Sequence, residues 1–95
     1  MSFDGQRYLT RGVLAEIPFD IQIFMWYLIS ELDEPKDYLQ VFRLSSFNGT
    51  QHIVHEQEDP QYNAEYDVQI EAPVTAKVYV IDDGDHSTML LAEEY

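Results

Sequence analysis

Between Ile17 and Leu32 almost every side chain is apolar or aromatic, and they point in every direction around a helix. Proline is favoured at a first helical position, and Asp20 two residues after Pro18 suits the positive end of a helix dipole. Pro35 closes the segment, because the residue before proline avoids helical angles. The pattern predicts one long helix over about 18–33. At about 100° per residue, Ile17, Ile21, Phe24, Leu28 and Leu32 form one stripe, with Met25 at its margin. The opposite side carries Phe19, Ile23, Trp26 and Tyr27, with only Ser30 clearly polar. A helix resting on one sheet should show charge on its far side. Burying this side is worth several kcal/mol at ~25 cal/mol per Å². Either the chain covers its helix twice, or one side meets another molecule.

The rest of the chain reads as strands. Tyr8–Val13 has the pattern of a short strand with Gly12 at its end or at a bulge, after a frayed polar start around Gly5. Residues 38–44 and 51–56 are rich in β-formers and flank Asn48-Gly49, the dipeptide best suited to a tight hairpin turn. In 64–70 the apolar Tyr66, Val68 and Ile70 recur every second residue, as in a strand with one wet face. Lys77–Ile81 is apolar on both faces and belongs at the centre of a sheet. Asp82–Asp85 reads as a turn and Ser87–Ala92 as a last strand. The expected fold is α+β: one helix packed on a curved antiparallel sheet of about five strands, a cystatin-like roll.

With 95 residues, the chain has room for one domain, 1–95. A chain this short buries only ~60–65% of its unfolded surface, so a large apolar residue left outside is informative. The 18 acids and five basic residues give a net charge of −13, which excludes bulk electrostatic coating of nucleic acid or anionic membrane. Residues 31–95 hold 15 of those acids and three of the basic residues, leaving the helical region nearly neutral. One Trp, seven Tyr and five Phe are too many for a disordered acidic chain. Cysteine is absent, so disulfides, thiolate metal sites and thiol nucleophiles are excluded. No apolar run approaches the ~18 residues of a membrane span, and the start lacks the grammar of a signal peptide. The expectation is a cytoplasmic protein with no membrane contact.

Two constellations could carry chemistry. Asp82, Asp83, Asp85 and His86 surround Gly84 and resemble the opening of a calcium loop. However, both flanks read as strands rather than helices, and Asp and Gly are what any turn uses. His52 and His55, beside Glu56, lie three apart. A zinc helix needs a spacing of four, and in a strand these two histidines face opposite ways. They read as polar residues of an exposed strand. No Gly-x-Ser-x-Gly, phosphate loop or basic groove occurs. The expectation is no catalytic residue, no metal ligand and no cofactor.

Several segments carry a family resemblance: Arg7–Gly12, Ile17-Pro18-Phe19 with Phe24-Met25-Trp26, Asp37–Phe42, His55–Glu58, Ala76–Gly84 and Ser87–Tyr95. Through them nearly the whole chain resembles the domain of unknown function 960 family of low-GC Gram-positive bacteria and their phages. The resemblance implies a small cytoplasmic α+β protein and brings no catalytic residue, substrate or cofactor.

The functional expectation therefore rests on the residues. It is a non-catalytic protein–protein interaction module, a homodimer through Phe19, Ile23, Trp26 and Tyr27, of which Trp and Tyr are types most enriched in interface hot spots. One alternative is a metal-binding protein or small enzyme using the Asp82–His86 turn. Another is an acidic mimic of nucleic acid that binds a basic protein.

Overall fold

The computed structural model describes residues 2–95. The chain order is β1 (Gln6–Leu9), α1 (Arg11–Glu16), α2 (Phe19–Ser30), β2 (Leu39–Phe47), β3 (Thr50–Gln57), β4 (Tyr62–Gln69), β5 (Ala76–Asp82) and β6 (His86–Leu91), ending in a 3₁₀ turn at Ala92–Glu94. The α+β class holds. The sheet has six strands in the order β1-β6-β5-β2-β3-β4, one more than expected. It is mixed, because β1 runs parallel to β6 while the other neighbours are antiparallel. A wholly antiparallel roll is thus corrected.

The segment expected as a short strand over Tyr8–Val13 supplies the sixth strand at its start, β1, and a second helix, α1, where the rest of that strand is expected. Thr10 accepts from the Val13 N–H at 3.3 Å, and this N-cap starts α1 inside what reads as a strand. Gly12 marks neither a strand end nor a bulge. A Cβ there would lie 2.7 Å from the Glu94 carboxyl and Leu91 Cδ1, so glycine lets the chain's two ends meet. The start is not frayed either. Phe3 is buried, and its N–H donates to Asp82 Oδ2 at 3.0 Å.

The long helix is 12 residues, shorter than 18–33. Pro18 is its N-cap rather than its first residue, and its carbonyl accepts from the Ile21 and Gln22 N–H groups. Its last residue, Ser30, donates back to the Trp26 carbonyl at 3.0 Å, and Glu31 is the C-cap.

Asn48 and Gly49 have φ of +50° and +77°, and Phe47 pairs with Thr50 across them. That is the two-residue hairpin the dipeptide predicts. β5 lies inside the sheet, and β4 alternates half-buried and exposed residues. One sheet face, including Phe42, Leu44, Ile53, Val78, Val80 and Met89, shares a core with Val13 and Ile17 and with Ile21, Met25, Trp26, Leu28 and Ile29 of α2. The other face is open.

Candidate functional site

The buried residues of α2 are Ile21, Gln22, Met25, Trp26, Leu28 and Ile29. The arc contains Ile21 and Leu28 of the expected stripe with Met25, and Ile17 and Leu32 beyond the helix are buried too. It widens on one side, to Gln22, Trp26 and Ile29, while Phe24 is half-buried. Gln22 lies on that widened side. Its Nε2 donates to the carbonyls of Ile17 at 2.9 Å and Val13 at 3.5 Å, tying α1 to α2 from inside the core. An apolar count reads that position as outside.

The widened arc takes in Trp26. Trp26 is 7% exposed, a correction to its expected place on an open face. Its cover comes from β1: the Arg7 guanidinium lies 4.7 Å over the indole, and its Nη2 donates to Ser30 Oγ at 3.5 Å. Phe19, Ile23 and Tyr27 remain outside, 73%, 51% and 54% exposed. They lie at i, i+4 and i+8, one line along the helix. Beside them Phe24 is half-buried, stacked on Tyr27 at 6.3 Å and edge-on to Tyr66 at 5.7 Å. The N-terminal strand thus covers one of the four far-side residues and leaves three.

The acidic turn does not converge on a cation. Asp82 points inward, where Oδ2 accepts from the Phe3 N–H and Oδ1 from the Gly84 N–H at 2.9 Å. Asp83 faces His86 at 3.2 Å. Among the described residues no group of three His, Cys, Asp or Glu side chains could hold a metal ion.

His52 and His55 do face opposite ways, but β3 is an inner strand and only His52 is reachable by solvent. His52 donates from Nδ1 to Asp67 at 2.7 Å and lies 3.0 Å from Glu65 through Nε2. The Asp67 hydrogen bond, helped by Glu65, raises its pKa. His55 is fully buried, stacked on Phe42 at 4.4 Å. Burial lowers its pKa to about 4. Its Nε2–H donates to Gln40 Oε1 at 2.7 Å, while Nδ1 has no partner among the described residues.

Gln40 and Gln57 extend this buried polar cluster. Gln57 Oε1 accepts from Gln40 Nε2 at 2.6 Å and from the Asp37 N–H, and its Nε2 donates to the Pro35 and Pro60 carbonyls at 2.9 Å. Gln51 does the same for the link to β5, exchanging bonds with Val74. These glutamines hold loops and offer no reactive group.

At the open end of α1, Glu94 accepts from Thr10 Oγ1 at 2.6 Å, from the Leu91 N–H and from the Gly12 N–H. The Thr10 bond first, then the backbone donors, hold its pKa below the ordinary carboxylate value.

Among the described residues no helix is long and apolar enough to cross a membrane. No curated protein matches the chain. The chain is similar to a protein of unknown function from Enterococcus faecalis whose crystal structure is solved. The two are 26% identical with a TM-score of 0.85, over 100% of this chain and 96% of that one. A family model described as a staphylococcal protein of unknown function (DUF960) matches residues 6–94, and the chain belongs to that family.

Proposed function

We propose that this protein is a non-catalytic cytoplasmic interaction module that pairs with a second copy of itself through the outer side of α2. The supporting observation is the line Phe19, Ile23 and Tyr27, still exposed after the chain has used its own N-terminus to cover Trp26. Trp26 then acts beneath the surface, as the floor that keeps α2 in place.

Charge locates where a second copy can approach. Residues 1–30 carry three acids and two arginines, a net −1, whereas 31–95 carry 15 acids and three basic residues, a net −12. Two copies repel through most of their surface, and the α2 region is where that repulsion is least. An apolar line on a two-fold axis also supplies its own complement. The three side chains offer roughly 400 Å² per copy, given the 150–250 Å² typical of an aromatic. A stable interface takes ~800 Å² per partner. The dimer is therefore weak, populated toward the upper end of the micromolar range.

Dilution followed by NMR tests this reading. Amide shifts of residues 19, 23 and 27 move with concentration while those of β4 stay fixed. Spectra that do not change with concentration, or changes centred on the sheet, contradict it.

A further inference from the structure

The open face of the sheet carries a second feature, independent of the α2 surface. A groove of about 570 Å³ runs over β2 and β5 and reaches the end of the β3–β4 hairpin. Its floor is apolar: Leu39, Val41 and Tyr79, with Val41 and Tyr79 direct cross-strand partners. One end holds Arg43 and Lys77, which stand directly opposite each other in the β2–β5 register.

Like charges in that position destabilise a sheet. In a chain with 18 acids and five basic residues, an acid opposite either cation would remove the conflict. Arg43 is fixed by Glu56, Nε to Oε1 at 2.6 Å, and Glu56 is itself held by Asn63 at 3.2 Å. The guanidinium is thereby oriented with its terminal nitrogens left over. Lys77 forms no ion pair among the described residues, and its Nζ lies 5.4 Å over the Tyr79 ring. The groove therefore has two positive groups at one end, of which one is unpaired and the other prearranged. An apolar floor continues away from them. Violations of local sheet rules concentrate where a chain binds something.

We infer that this groove binds an organic carboxylate, with the anionic head between Arg43 and Lys77 and an aromatic or aliphatic body along Val41, Tyr79 and Leu39. Glu56, cross-strand from Val41, and Glu58 also line the groove and disfavour a second negative charge, so the ligand is a monoanion.

NMR titration of the whole chain tests the site at about 0.15 M salt, where the Debye length of ~8 Å screens the remote acids. The probes are phenylacetate, acetate and benzylamine. Phenylacetate should give saturable shifts at the Arg43 Nε–H, the Tyr79 ring and Val41. Acetate, lacking the body, should bind at least about tenfold more weakly, and benzylamine should leave those signals in place. Lys77→Gln should weaken phenylacetate about tenfold, the scale of one charged hydrogen bond, while Lys36→Gln leaves it unchanged. The assignment is overturned by phenylacetate shifts that never saturate, by equal binding of benzylamine, or by a Lys77→Gln protein that binds as tightly as the parent.

Discussion

Single residues set the pH response of this protein, and the two strand histidines act in opposite directions. His55 has a folded pKa of about 4 against the ordinary 6.5, so its contribution is complete above pH 6.5 and fades as pH falls toward 4. That shift is worth on the order of 3 kcal/mol. His52 shifts upward, so its contribution is complete below pH 6.5 and fades as pH rises through its folded value. Urea unfolding between pH 7 and 4 should show stability falling with acid, and His55→Gln should flatten that fall; an unchanged slope contradicts the assignment. Gln57 is the other residue whose loss is felt beyond its size. Gln57→Ala deletes two donated and two accepted bonds in a buried cluster, and should cost roughly 2–4 kcal/mol in the same assay. None of this is legible from residue type. Glutamine on a strand reads as a wet side chain, and the carbonyls of Pro35, Pro60 and Val74 that make it a core residue reach it only through the fold.

Elements follow the sequence pattern where local chemistry is decisive and depart from it where a distant contact decides. The Asn48-Gly49 turn, the alternation in β4 and the central place of β5 depend on neighbours in sequence or on simple hydrophobic pattern, and they were legible. The segment 8–13 was not, because its helical part is held by Glu94 from the opposite end of the chain. Trp26 fails in the same way, since its cover arrives from β1. Glu94→Gln should therefore lower hydrogen-exchange protection at residues 12–14 and leave α2 unaffected; equal loss in both helices would disprove a local cap. Two glycines give a graded comparison. A Cβ at Gly5 would meet the Asp85 carbonyl oxygen at 2.1 Å, which is backbone, whereas at Gly12 it meets side chains. Gly5→Ala should thus be the more damaging, by about 1–3 kcal/mol, in matched thermal melts. Arg7→Ala uncovers the indole and should shift Trp26 emission to the red while the α2 helical signal persists.

At the scale of the whole molecule, one sheet packs on α2, the Arg7 side chain of its edge strand β1 reaches over Trp26, and a line of three apolar side chains on α2 is left exposed. The proposed pairing uses that line, where the charge of an otherwise strongly acidic protein is least. The groove proposed for a carboxylate lies on the opposite side of the sheet, so the proposed pairing through α2 leaves it open. Sedimentation equilibrium of the wild type and Ile23→Glu, over the micromolar to near-millimolar range, tests the pairing most directly. The wild type should rise from monomer mass toward dimer mass with concentration, and Ile23→Glu should remain a folded monomer throughout. A wild type that stays at monomer mass over the whole range, or a variant that associates as well as its parent, contradicts the account.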